Sequence, residues 1–156
     1  MPNKIIILFI VIFSLIVSNV NSDDQISFDV TEIEILDGGN KIIGKNRGTI
    51  TTNDGFIIEA NQFEFDKIEN TLKAKGNIKI KDKINNYNFS AQNILYKKNE
   101  EKIEIEGKAE ALIRTGYKLE SENIIFLRNE MIIISDVGAT IIDKVTQTQY
   151  EIGKFS

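Results

Sequence analysis

The chain has 156 residues, a net charge of −4, one proline (Pro2), and no cysteine, histidine or tryptophan. That length suits one domain. The missing Cys and His exclude Ser–His–Asp and Cys–His nucleophile systems, the usual zinc sites and disulfide staples, and a mildly acidic balance with interspersed signs is a poor match for a nucleic-acid backbone.

The first stretch, MPNKIIILFIVIFSLIVSNVNS, carries Lys4 as its only charge, followed by an apolar run from Ile5 to Val17. Val20 and Ser22 stand at the −3 and −1 positions of a signal-peptidase site before Asp23, so residues 1–22 read as a secretory signal peptide. The apolar run is shorter than the roughly 20 residues of a membrane span, which makes an uncleaved anchor the alternative. No cysteine follows it, which excludes a lipidated N-terminus. Removing residues 1–22 takes away Lys4 and leaves a chain of net charge −5 without proline, so nothing interrupts strand pairing.

Residues 23–156 read as one domain. Its first element, FDVTEIEILDGGNKIIGKNRGTI (28–50), places Val30, Ile33 and Ile35 ahead of a DGGN turn, with Gly48 beyond it. The next, FIIEANQFEFDKIENTLKAKGNIKI from Phe56, repeats the pattern more clearly. Copies follow as YNFSAQNILYKKNEEKIEIEGKAEA from Tyr87 and YKLESENIIFLRNEMIIISDVGATI from Tyr117. A small residue recurs at Ala60, Ala91 and Ser121. Three positions later come Phe63, Ile94 and Ile124, and two beyond those Phe65, Tyr96 and Phe126. Each copy passes through a polar turn into an alternating strand ending in Gly76, Gly107 or Gly138.

Strict alternation means half-buried strands, and the recurrence means a repeated supersecondary unit. Residues 91–102 alone also fit a short helix, but the aligned copy at 61–71 carries strand-favouring aromatics, and a shared conformation selects strand. The three-residue step from Ala60 to Phe63 breaks the period and suggests a bulge in every copy. About ten to twelve short strands and no helix are expected, arranged as an all-β sandwich, jelly roll or solenoid of four units of about 30 residues.

Acidic residues such as Glu32, Glu34, Glu104 and Glu106 form the polar half of alternating strands, the pattern of a solvated sheet face. The alternation offers no pair of inward-facing acids for carboxylate catalysis. NDG at 53–55 lacks the further ligands of a calcium loop, and no glycine loop cradles a phosphate. Neither enzyme activity, a metal nor a cofactor is expected. The apolar stripe is either a filled core or the lining of an opening for an apolar ligand.

EANQFEFDKIENTLKAKGNIKIKD at 59–82 resembles the signature of the OstA-like lipopolysaccharide-transport family, in which an A-D-x-x-x-Y-D segment leads through a polar turn into an A-x-G-N-V strand. The matching residues are Ala60, Asn61, Phe65, Asp66, Ala74, Gly76, Asn77 and Ile78, with Asn61 replacing Asp and Phe65 replacing Tyr. Residues 28–50 also resemble the opening of the periplasmic domain of the lipopolysaccharide-assembly outer-membrane protein, and the resemblance extends over 28–140. It implies an antiparallel β-jellyroll whose layers splay to hold lipid A acyl chains, and jellyrolls paired edge to edge as a bridge across the periplasm. It further implies an outer-membrane assembly partner and a place in the periplasm or at the outer membrane.

A chain of 156 residues has no room for the large β-barrel of the assembly protein. The reading is a fragment of such a protein, favoured by an ending, YEIGKFS, that stops mid-pattern, or a stand-alone bridge component. Family members often carry cysteines, absent here. The lipid-binding positions implied are the inward alternating ones: Phe56, Ile58, Phe63, Phe65, Ile78, Ile80, Phe89, Ile94, Tyr96, Ile105, Leu119, Ile124 and Phe126. The alternative function is a structural secreted β-repeat, a solenoid or adhesion module, without a lipid ligand.

Overall fold

Residues 26–113 and 116–155 are described in the computed structural model, so the expected signal peptide at 1–22 lies outside the described residues. The described chain is almost wholly strand: β1 (Ile26–Leu36), β2 (Lys41–Thr52), β3 (Phe56–Ala60), β4 (Gln62–Asp66), β5 (Thr71–Asp82), β6 (Tyr87–Lys97), β7 (Lys102–Ile113), β8 (Tyr117–Leu127), β9 (Ile132–Ile134), β10 (Ala139–Asp143) and β11 (Gln149–Ile152). The segment that also fitted a helix is strand β6, followed by a single 3₁₀ turn at Lys98–Glu100. The patterns beginning at residues 56, 87 and 117 each open a strand, the pattern beginning at residue 28 falls inside β1, and β3 with β4 is one strand interrupted at Asn61.

All pairings are antiparallel, in the order β1-β2-β3-β5-β6-β7-β8-β10-β11, with β4 beside β2 and β5 and β9 beside β8. Two of the strands are longer than alternation alone suggests, because they run through their glycines rather than ending there, whereas Gly138 lies outside a strand, just before β10. Gly76 and Gly107 lie inside β5 and β7. The extra residue of each bulge is on the glycine-bearing strand, not at the Ala60–Phe63 step. Lys75 pairs with Asn93 and Ile78 with Ala91, so Gly76 and Asn77 together oppose Gln92. Gly107 and Lys108 likewise oppose Glu122, and Asn46 and Arg47 oppose Thr31.

Each of these pairs has positive φ at both residues: 60° and 30° at Asn46–Arg47, 78° and 48° at Gly76–Asn77, 77° and 51° at Gly107–Lys108. Two successive left-handed residues bend the strand sharply. At Gly76 the bend also leaves no room for a side chain, since a Cβ would stand 2.7 Å from Asn61 Nδ2.

These bends fold the sheet onto itself. Asp82 at the end of β5 is aligned through Tyr87 and Ile113 with Tyr117 at the start of β8. In a flat sheet Asp82 and Arg128 would therefore stand roughly 35 Å apart. Their side chains are 3.1 Å apart. The result is an antiparallel β-jellyroll of two facing layers. The first contains residues 56–60, 78–82, 87–91, 109–113 and 117–121; the second contains 62–66, 71–75, 93–97, 102–106 and 123–127. Bent strands join the layers along one side, and the opposite side is a rim where turns of the two layers meet.

Candidate functional site

The space between the layers is the candidate site. The thirteen expected positions all face it, and all are between 0 and 7% exposed. The inward register was therefore read correctly, including the step across each bend. Aromatic side chains cross the gap: the ring centroid of Phe56 in the first layer is 5.2 Å from that of Tyr96 in the second, edge to face, and Phe89 is 5.1 Å from Phe126. Ile103, Ala109 and Leu72, equally buried, complete the packing. The interior is filled by its own side chains, each such aromatic contact adding about 1 kcal/mol beyond area burial. A concavity of about 670 Å³ lies instead on the outward face of the first layer, lined in part by Ile57, Lys79, Lys81, Asn88, Leu112 and Lys118.

Polar groups close the rim. Arg128, 7% exposed, donates from Nε to Asp82 Oδ2 at 3.1 Å and from Nη1 to Glu101 Oε2 at 3.0 Å, and its Nη2 donates to the Asp54 carbonyl. Its guanidinium carbon lies 4.2 Å from the Phe56 ring centroid, a cation–π contact. The Tyr96 hydroxyl is 2.6 Å from Asp54 Oδ2 and 3.2 Å from Glu101 Oε1. Lys98 Nζ donates to Asn53 Oδ1 at 3.2 Å.

Asp82, 0% exposed, is also held by its own turn, its Oδ1 accepting from the backbone N–H groups of Ile84 and Asn85. Burial by itself pushes the Asp82 carboxyl up, but the Asn85 and Arg128 hydrogen bonds outweigh it and hold the carboxyl below the usual aspartate range. Burial likewise opposes the charge on Arg128, and the Asp82 and Glu101 carboxylates more than restore it. Burial followed by the Asp54 carboxylate drives the Tyr96 phenol far up, so it stays protonated.

The expectation that no acids share the inward side is thus corrected. Asp82, Asp54 and Glu101 converge at the rim, drawn together by one arginine that neutralises part of their charge. The signal was present in the alternation. Ile78 and Ile80 lead to Asp82, Ile124 and Phe126 to Arg128, and Ile94 and Tyr96 to Lys98, so three apolar stripes each end in a buried charged residue of the same inward parity. Outward acids behave as expected: Glu104 lies within 3.0 Å of both Lys97 and Lys102, and Lys45 pairs with Glu32 and Glu34.

Among the described residues, no group of acids could hold a metal ion and no helix is long and apolar enough to cross a membrane. Among the described residues, the first and last strands, β1 and β11, each pair with one neighbouring strand. On β1, Ile33 and Ile35 occupy the register of Phe63 and Phe65 yet are 48% and 64% exposed, so the inward stripe runs on uncovered to this edge.

No protein-family model matches the chain, and no curated protein matches it in sequence. Its fold is similar to that in the crystal structure of LptH, the LptA-homologous periplasmic component of the conserved lipopolysaccharide transport device from Pseudomonas aeruginosa. The TM-score is 0.65 at 15% identity, over 72% of this chain and 83% of that one. The likeness is one of fold: this chain is a jellyroll of the kind LptH adopts.

Proposed function

We propose that the protein is a non-enzymatic periplasmic carrier that takes lipopolysaccharide acyl chains between its two layers and passes the lipid towards the outer membrane. The observation that carries this reading is the buried apolar stripe between two layers of an LptH-like jellyroll, which coincides with the OstA-like words at 59–82. Such a stripe holds hydrocarbon by burial alone, about 0.8 kcal/mol per methylene. The likeness to LptH supports the jellyroll that both placements suggested by the sequence words require, the domain of an outer-membrane assembly protein and the stand-alone bridge component.

The partners of this carrier are further jellyrolls. An unpaired strand edge is normally a liability, but it becomes a docking device when another strand adds to it. The exposed inward stripe at Ile33 and Ile35 supports such docking at β1, with β11 offering the other free edge. An outer-membrane assembly protein completes the chain of partners.

The filled interior favours a second reading, a structural secreted β-repeat that binds no lipid. Native mass spectrometry of the chain mixed with a short-chain lipopolysaccharide separates the two. A one-to-one complex is expected of the carrier. No complex at any lipopolysaccharide concentration, with the protein folded, would leave the structural module.

A further inference from the structure

We propose that the Arg128 cluster is a latch, and that the rim it closes is the portal through which an acyl chain passes between the layers. This rests on the carrier reading above. The interior admits no chain as it stands, because its side chains are packed against one another and nearly inaccessible. The layers must therefore part, and the structure has one side where they can. Along the other side every long strand runs continuously from one layer into the next through its bend, and the backbone ladders resume on both sides of it.

At the rim the contacts between layers are of another kind. The backbone hydrogen bonds of the turns stay within a layer, Lys83 to Gly55 in the first and Arg128 to Glu101 in the second. Side chains make the crossings: Arg128 to Asp82 and Asp54, Tyr96 to Asp54, and Lys98 to Asn53. Arg128 is the centre, with its backbone and its Glu101 partner in the second layer and its Asp82 and Asp54 partners in the first.

Ion pairs suit a seam that must open and close. When a charged pair separates into water, each partner recovers the hydration it lost on burial, whereas a parted apolar seam would expose its surface without return. Phe56, directly under the Arg128 guanidinium, is the first apolar surface behind the latch. A chain sliding under Arg128 meets Phe56, then Tyr96, at the head of the apolar stripe.

The chain has no cysteine of its own, so Asn53→Cys with Lys98→Cys creates a single thiol pair across the rim. Bridging that pair with a short bis-maleimide locks the rim, and capping the two thiols separately leaves it free. Loading of fluorescent short-chain lipopolysaccharide is then followed by stopped flow. The bridged protein is expected to load at least about tenfold more slowly than the capped one. The D82N/R128M double variant, whose latch is weakened without new thiols, is expected to load faster than the parent.

Equal loading by bridged and capped proteins, or no acceleration in D82N/R128M, overturns the latch while the carrier reading stands. A parent protein that loads no lipopolysaccharide at all overturns both.

Discussion

Arg128 Nε and Asp82 Oδ2 are 3.1 Å apart across 46 residues of chain, at the meeting of two layers that the same strands build. Neither side chain has appreciable access to water. Removing one member of a buried pair strands the other charge, at a cost of about 3–5 kcal/mol, while neutralising both costs much less. R128M is therefore expected to destabilise the fold by about 3–5 kcal/mol. D82N/R128M should recover a large part of that loss, because the amide oxygen that replaces the Asp82 carboxylate can still accept from Ile84 and Asn85 without leaving a bare charge. Urea unfolding of D82N, R128M, the double variant and the parent gives the cycle directly.

Acid should release the same pair. The Asp82 pKa is depressed in the folded state from an unfolded value of about 3.9. Its stabilisation is therefore complete above that value and lost as pH falls through the lower folded one. The parent should lose stability below about pH 4 more steeply than D82N, which has no such group to protonate. Circular dichroism along an acid titration of both proteins checks the difference, and coincident acid limbs would contradict it.

The bends are the other fixed feature. Gly76 has φ of 78° and packs against Asn61, so Gly76→Val imposes both a left-handed β-branched residue and a clash. The backbone strain alone costs about 1–3 kcal/mol. Lys75→Ala, one residue earlier and outward-facing, should stay within about 0.5 kcal/mol of the parent. Thermal unfolding of the two variants distinguishes a position that bends the sheet from one that only decorates it.

The inward register was legible because alternation survives the polar turns: Phe63, Ile94 and Ile124 face the interior as the repeated words require. The bend was legible only in part. The step from Ala60 to Phe63 shows that pairing is interrupted, but the residues that turn the chain, Gly76 and Asn77, sit on the partner strand. A single strand's pattern cannot say which side holds the extra residue. The rim cluster was obscured for a different reason. Asp54, Glu101 and Arg128 lie in three turns and Asp82 at the strand end that opens a fourth, and each of these turns reads alone as a solvated polar loop. Only the folded sheet brings them together, and only the inward parity of Asp82, Lys98 and Arg128 hinted at it.

Edge docking makes its own prediction. Ile33 and Ile35 carry the interior stripe to an exposed edge, so replacing both by Lys removes the apolar surface and adds charges that blunt strand addition. The I33K/I35K chain should keep its fold and lose association with a second jellyroll, measured by sedimentation velocity of a mixture with LptH. Unchanged association would move the docking surface away from β1.

The carrier reading turns on which face of a strand meets lipid. A benzophenone side chain placed in turn at inward Phe63 and Ile94 and at outward Lys73 and Leu95, then irradiated in the presence of lipopolysaccharide, reports this residue by residue. Adducts at Phe63 and Ile94 with none at Lys73 or Leu95 are the expected result. Adducts at the outward positions alone, or none at any inward position in a folded protein, would contradict it.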